Sequence, residues 1–142
     1  MIEEDYVSFE IAKLLKEKGF DEICYACYEY FSSSITMYSG WPFEYKGKPV
    51  HNSKDIITCP TLQMAMKWLR EVYHIEICIT FGFPFIDGKQ QYKYFWSIVR
   101  VCNNHLEYPM DDPGSASYNE EMADSYEDAV EAALKYVIEN LI

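Results

Sequence analysis

The fold is decided by one stretch of the chain, PTLQMAMKWLREVYHIEICITFGFPFIDGKQQYKYFWSIVRVC, which runs from Pro60 to Cys102. Its first part predicts a helix over Pro60–Tyr73, because apolar residues recur there at helical spacing. Pro60 suits the first helical position, where the N–H group that proline lacks would have no partner in any case. The apolar stripe of this helix, which we expect to be buried, consists of Leu62, Ala65, Met66, Leu69, Val72 and Tyr73.

A β-hairpin is predicted directly after the helix, with strands over Ile75–Phe81 and Tyr92–Val101. In the first strand, isoleucines alternate with less apolar residues, which is the period of a strand with one buried face. Asp87-Gly88 is a strong signal for a two-residue turn between the strands. This turn sets a register in which Ile77 lies opposite Ile98. The face that carries the isoleucines then also carries Tyr94, Trp96 and Ile98.

A third strand, His105–Tyr108, is predicted after a second tight turn at Asn103-Asn104. Its pairing places Arg100 opposite Glu107, and opposite charges that face each other across two strands favour this register. The strand Tyr92–Val101 would then have a partner on both sides. We therefore expect it at the centre of the sheet.

A helix is also predicted near each end of the chain. The first, Phe9–Lys18, has Ser8 as its N-cap and stops at Gly19, which suits the left-handed conformation of a helix end. The last begins at Ser125, three residues before Asp128, in an approximation of a capping box. Its apolar face consists of Ala129, Val130, Ala133, Leu134, Val137 and Leu141.

Together these elements predict a single α+β domain over residues 1–142, with an antiparallel sheet of three to five strands and two or three helices packed on it. Weaker strand signals at Ile23–Phe31 and Ile35–Tyr38 account for the upper strand count. The segments Trp41–Asp55 and Pro109–Asp124 carry turn residues and no apolar period, so we expect them to be irregular. An apolar content of 49% argues against global disorder.

The net charge of −11 is concentrated in one segment. Val101–Leu134 contains no Lys or Arg but nine acids, which are Glu107, Asp111, Asp112, Glu120, Glu121, Asp124, Glu127, Asp128 and Glu131. This balance argues against binding to nucleic acid through its phosphates and against an anionic membrane surface. Two interpretations remain open. The segment is either a solvated acidic loop that runs into a helix, or a surface that mimics nucleic acid and occupies a basic site on another protein.

The sequence also predicts a cytoplasmic protein without a membrane-spanning helix. It has no run of about 18 apolar residues. The first residues, Met1–Asp5, are acidic and unlike the basic start of a signal peptide. Five cysteines, an odd number, fit reduced thiols better than a disulfide framework.

Cys24 and Cys27 form a C-x-x-C pair, which raises a redox site or half of a zinc site as alternatives. Acidic neighbours such as Glu22 raise a thiol pKa, whereas a redox pair needs a lowered one. No second C-x-x-C or H-x-x-x-H motif supplies further zinc ligands; the single residues on offer are Cys59, His51, His74, Cys102 and His105. We therefore expect structural thiols, no metal and no cofactor. Cys24, Cys27, Cys102 and His105 remain the candidates for a small zinc-binding or redox protein.

The sequence favours a protein that is not an enzyme. It contains no nucleophile motif, no glycine-rich phosphate loop and no metalloprotease helix. His74 lies where the helix meets the strand and is expected to be a junction residue. Asp111 and Asp112 adjoin each other in a loop with Gly and Pro, which does not indicate a catalytic pair.

Aromatic residues are abundant, with 13 Tyr, 8 Phe and 3 Trp. Most of them are expected in the core. The remainder are candidates for an exposed patch, which we place in the stretch Tyr25–Tyr45. Exposed aromatic patches are typical of surfaces that bind another protein.

Three segments carry a resemblance to known sequences: KLLKEKGF (Lys13–Phe20), CPTLQMAMKWLREVYHIEI (Cys59–Ile77) and YEDAVEAALKYVIENLI (Tyr126–Ile142). Together they resemble a group of small uncharacterised proteins of gut Bacteroidales, many of them carried by phages or prophages. The resemblance covers about a third of the chain and implies no activity or site residue. The leading hypothesis, which rests on the absence of catalytic motifs and on the aromatic and acidic segments, is a non-enzymatic interaction or accessory protein. An origin in a phage or mobile element is what the resemblance adds to it.

Overall fold

The structure, a computed structural model, describes residues 4–31, 34–39, 51–107 and 122–142. The helices in these ranges are α1 (Phe9–Glu17), α2 (Leu62–Tyr73) and α3 (Tyr126–Asn140). The strands are β1 (Ala26–Phe31), β2 (Ser34–Ser39), β3 (Ile56–Thr58), β4 (Ile75–Gly82), β5 (Phe85–Ile86), β6 (Lys89–Gln90), β7 (Lys93–Cys102) and β8 (His105–Glu107). The predicted α+β class is confirmed, with two three-stranded antiparallel sheets and a two-stranded one.

The chain divides into two compact units. The first contains the described residues up to Ala65 together with Ile142, and the second contains those of Met66–Leu141. The prediction of a single domain over residues 1–142 stays a prediction.

The start of α1 is set by Ser8, as the sequence predicts. The Ser8 hydroxyl accepts a hydrogen bond from the N–H group of Ile11 at 3.4 Å, which satisfies one donor of the first turn. The helix buries one face, formed by Ile11, Ala12 and Leu15.

The end of α1 has the predicted left-handed glycine. Gly19 has a φ of 90°, and its N–H group donates to the carbonyl of Lys16 at 3.1 Å. The N–H group of Phe20 donates to the carbonyl of Leu15 at 2.9 Å, which completes a Schellman motif. The helix itself ends one residue earlier than predicted, at Glu17, with Lys18 as its C-cap.

The sheet of the first unit has the order β2-β1-β3. The predicted strands at Ile23–Phe31 and Ile35–Tyr38 correspond to β1 and β2, although β1 begins only at Ala26. The sequence did not indicate β3, which pairs with β1 so that Tyr28 lies opposite Ile57. This pairing joins segments that are distant in sequence, so no local pattern announces it.

The two segments predicted to be irregular are described only in part. Residues 51–55 and 122–124 contain no helix, and the remainder of both segments lies outside the described residues. Asn52 stabilises its irregular stretch with both side-chain atoms. Its Nδ2 donates to the carbonyl of Phe20 at 2.6 Å, and its Oδ1 accepts from the N–H group of Thr58 at 2.9 Å.

The helix α2 begins at Leu62, so the prediction that Pro60 occupies the first helical position is wrong. An isolated bridge between Thr61 and Tyr6 keeps the chain extended up to this point. The Thr61 hydroxyl then caps the helix by accepting from the N–H group of Met64 at 3.2 Å. At the other end, His74 takes the left-handed conformation with a φ of 56°, which confirms it as a junction residue.

Most of the predicted stripe of α2 is buried, including Leu62, Ala65, Met66 and Leu69. Val72 is an error of the prediction, because 52% of it is exposed. It shares the direction of the stripe but lies in the last turn, where its neighbours Arg70 and Glu71 are also exposed.

The sheet of the second unit has the order β4-β7-β8, with β7 at its centre as predicted. The predicted cross-strand pairs, Ile77 with Ile98 and Arg100 with Glu107, are confirmed, and the turn between the strands is closed by the pair of Ile86 with Lys89. Asp87 and Gly88 have φ values of 50° and 76°, both positive as a type I′ turn requires. Asn103 and Asn104 repeat the pattern with 48° and 64°. The last strand ends at Glu107, and Tyr108 lies outside the described residues.

The start of α3 is confirmed, since the Ser125 hydroxyl accepts from the N–H group of Asp128 at 3.0 Å. Ala129, Val130, Ala133, Leu134 and Val137 are buried as predicted. Leu141 is the exception, because it lies at the C-cap and is half-buried. Ile138, which is not among the predicted apolar-face residues, is fully buried.

The contrast between Leu69 and Val72 gives a test of the fold. Replacing Leu69, which is fully buried, by Ala removes packed methyl groups and should lower the free energy of unfolding by about 2–5 kcal/mol. Replacing Val72 by Ala should change it by no more than about 0.5 kcal/mol, because the side chain faces solvent. Urea unfolding of both variants checks this, and similar losses at the two positions would contradict the burial described.

Candidate functional site

The most exposed apolar surface of the second unit is a row of four aromatic residues, which we call the aromatic ridge. It consists of Phe81, Phe83, Phe85 and Tyr92, whose exposed fractions lie between 44% and 73%. Large exposed apolar patches on a folded protein usually mark an interaction surface. The ridge is therefore the candidate functional site.

The ridge residues share one face because the hairpin register continues without a bulge from β4 to its tip. Phe81 pairs with Tyr94, and Phe85 pairs with Gln90 in the same register. Between them the ladder lacks one bond, because Pro84 has no N–H group to donate. The carbonyl of Pro84 still accepts from the N–H group of Gln91 at 3.0 Å, which keeps the register through the gap.

The ring of Tyr92 contacts two other rings of the ridge, those of Phe81 and Phe83. It stacks on Phe81, with ring centroids 5.2 Å apart and ring planes 12° from parallel. Its ring centroid also lies 4.3 Å from that of Phe83. Because aromatic side chains have few rotatable bonds and these three rings contact one another through Tyr92, this part of the ridge is pre-organised.

The same face of the hairpin is covered farther from the tip. Ile75, Ile77, Trp96 and Ile98 are buried there, and α3 packs against β4 and β7. The ring centroid of Trp96 lies 5.4 Å from that of Tyr136 on the helix.

The helix cover ends near Tyr94. The ring of Tyr94 contacts that of Tyr126 in the first turn of α3, and its backbone forms a bridge with Ala123 just before the helix. Beyond this level the hairpin continues to its tip and exposes the ridge. The ridge is thus the uncovered extension of the buried face.

Few charges lie beside the ridge. From Ile77 to Ile86 the chain has no charged residue. Lys93, on the partner strand, forms an ion pair with Asp124. Asp87 and Lys89 occupy the tip and carry opposite charges. The charges of the described residues beside the ridge therefore balance, although the chain as a whole carries a net charge of −11.

The sequence placed an aromatic patch in Tyr25–Tyr45 and missed the ridge. Tyr25 is exposed, but residues 40–45 lie outside the described residues, so the patch stays a prediction. The available signal for the ridge was FGFPF (81–85), an aromatic run that continues the period of the strand into the turn.

The cysteine candidates are divided between the two units. Cys24, Cys27 and Cys59 are buried in the first unit, whereas Cys102 pairs with His105 across the second tight turn of the other unit. None of the five cysteines forms a disulfide, and all five lie in the described ranges. Among the residues that the structure describes, no group of three or more His, Cys, Asp or Glu side chains is arranged to hold a metal ion.

The surroundings of Cys24 and Cys27 disfavour the thiolate that redox chemistry needs. Burial raises the pKa of Cys24 from 9.0 to about 11, and Glu22 acts in the same direction, whereas the Thr58 hydroxyl opposes them. Burial, with a contribution from Glu29, also raises the pKa of Cys27. Both thiols are protonated near pH 7 and behave as small apolar core groups.

The acidic segment is described only in part. Of its nine acids, Asp111, Asp112, Glu120 and Glu121 lie outside the described residues. Glu107 forms an ion pair with Arg100 at 2.9 Å. Glu127 and Asp128 occupy the first turn of α3, where negative charge complements the helix dipole. The nucleic-acid-mimic hypothesis therefore stays a prediction.

Comparison with protein-family models, with curated proteins and with solved structures finds no match to this chain. The resemblance to the Bacteroidales group stays an expectation. Within the described ranges, no helix is both long enough and apolar enough to cross a membrane.

The raised pKa of Cys24 predicts a pH dependence of stability. The folded state disfavours the thiolate of Cys24. The stability that the protonated thiol contributes is therefore fully present below pH 9.0 and is lost as pH rises through about 11. Cys24→Ala should therefore lose less stability than the wild type between these pH values. Urea unfolding of both proteins across this range measures the difference, and identical slopes would contradict the assignment.

Proposed function

We propose that the chain is a non-enzymatic protein-interaction module that binds another protein through the aromatic ridge. The observation that carries this proposal is the exposure of four aromatic rings at the end of the hairpin, where the ring of Tyr92 contacts those of Phe81 and Phe83. Aromatic side chains of this kind dominate the binding energy of protein interfaces, because they bury a large area at a small cost in entropy.

Charge favours a protein over a nucleic acid as the ligand. Proteins that bind single strands also use aromatic platforms, but they combine them with a positively charged groove. Here Lys89 stands beside Asp87 at the tip, Lys93 is paired with Asp124, and the whole chain is acidic. A partner with an apolar cleft and a neutral or basic rim fits this surface best.

An accessory role in the cytoplasm belongs to the same proposal. Reduced, mostly buried thiols are consistent with that compartment. An origin in a phage or mobile element is supported by the resemblance of the helical segments.

The test is a capture experiment in a lysate of a gut Bacteroidales species, the group to which the resemblance points. The wild type is compared with the double variant Phe85→Ser/Tyr92→Ser. Loss of two aromatic contacts should weaken binding about 10- to 1,000-fold. Binding to the wild type should survive high salt, because apolar contacts are not screened.

Leu106→Ser is the matched control. Leu106 is also exposed and apolar, but it pairs with Val101 on the other face of the same sheet. This variant should capture the same protein as the wild type. Equal capture by the double variant would refute the role of the ridge. A partner that depends on low salt and ignores the ring substitutions would favour the acidic mimic instead.

A further inference from the structure

The two edges of the second unit's sheet differ in how they are protected. β8 is short, with three residues, and carries Glu107 and His105. β4 has eight residues and pairs only with β7 among the described strands. An edge strand leaves a row of backbone N–H and C=O groups without partners, which invites another strand to pair with it.

Hydrogen bonds at both ends of the hairpin fix which residues of β4 face outward. The carbonyl of His74 accepts from the N–H group of Val101 at 3.1 Å, and that of Pro84 accepts from Gln91. Both acceptors have even numbers, so even-numbered residues point their backbone groups at β7. The backbone groups of Ile79, Phe81, Phe83 and Phe85 therefore point away from the sheet.

Among the described residues, this segment lacks the usual protections of an edge. Proline protects an edge when its absent N–H group would have pointed outward. Pro84 lies at an even position, so its absent N–H group would have faced Gln91 of the partner strand. No charged residue lies between Ile77 and Ile86 to repel an approaching strand. Within the part of the chain that the structure describes, the outer edge thus keeps its full set of donors and acceptors.

We propose that a second copy of this chain occupies this edge, with the two segments from Ile79 to Phe85 antiparallel around a two-fold axis at Gly82, between Phe81 and Phe83. In this register each outward residue faces another outward residue, so Phe81 lies opposite Phe83 of the second copy. Each such pair exchanges two backbone hydrogen bonds. The β4-β7-β8 sheets of the two copies then become one continuous sheet.

A second copy suits this edge because the segment is self-complementary. In a two-fold interface a charge near the axis lies close to its own copy, so like charges there would repel each other. The segment from Ile77 to Ile86 has none, and the tip residues Asp87 and Lys89 balance each other. The repulsion between two chains of net charge −11 arises outside the seam. Salt should screen it and strengthen the dimer.

The pairing also enlarges the proposed binding surface. A two-fold axis perpendicular to the sheet places the ridges of both copies on the same face and next to each other. This consequence rests on the proposed function, whereas the pairing itself does not. The partner protein would then contact rings from both copies.

The test is sedimentation velocity of the purified chain over a range of concentrations, at low and high salt. We expect a monomer–dimer equilibrium that shifts toward the dimer at high salt. Phe83→Pro removes an outward N–H group and leaves the ladder to β7 intact, so it should weaken dimerisation about tenfold or more. Phe83→Ala removes the same ring but keeps the N–H group, so it should remain dimeric.

Amide hydrogen exchange of the wild type tests the pairing without any substitution. The amides of Phe81, Phe83 and Phe85 should exchange fast at low concentration and slowly in the dimer. The amide of Gly82, which points at Lys93, serves as the internal reference. A chain that stays monomeric, or a dimer in which the outward amides exchange fast, would overturn the proposal.

The two proposals fail separately. A monomeric chain that still captures a protein through the ridge would refute only the pairing. Protection of the outward amides by that protein would then show that a foreign strand occupies the edge. A dimer whose capture ignores the ring substitutions would refute only the proposed function.

Discussion

The register of the β4–β7 hairpin is the constraint on which the second unit depends. The Asp87-Gly88 turn, with a positive φ at both residues, fixes this register because a two-residue turn leaves no freedom in the pairing that follows. A slip by one residue would move every isoleucine of β4 to the opposite face. The buried face under α3 and the exposed ridge are therefore two ends of one feature.

The ridge is exposed because the hairpin continues beyond the level at which α3 covers it. The arm from Ile75 to Ile86 comprises β4, β5 and the two residues between them, which at about 3.3 Å per residue spans about 40 Å. The 15 residues of α3 span only about 22 Å. The bridge between Tyr94 and Ala123 marks the level at which the cover stops. No local feature of the ridge residues separates them from core residues.

This difference explains what the sequence could predict. Turns, caps and register depend on neighbours in the chain, so Asn103-Asn104, Ser8 and Ser125 were found correctly. The pairing of β3 with β1 depends on distant segments and was missed. Val72 falls at the spacing of the buried stripe of its helix yet faces solvent. Phe83 falls at the spacing of the buried face of its strand yet lies beyond the helix that covers this face. The spacing of apolar residues in the sequence reveals which residues share a face, but only the packed structure reveals where that face is covered.

The acidity of the chain has a physical role that does not require mimicry. A long apolar edge beside exposed rings, such as the segment from Ile77 to Ile86, is a site for uncontrolled association. A large net charge opposes such association between whole molecules while leaving local contacts intact. With a net charge of −11 placed mostly outside the hairpin, contacts that bury only part of the edge would not offset the repulsion. Only the proposed pairing, which satisfies the edge over its length, would offset it, so the charge favours a specific pairing over uncontrolled association.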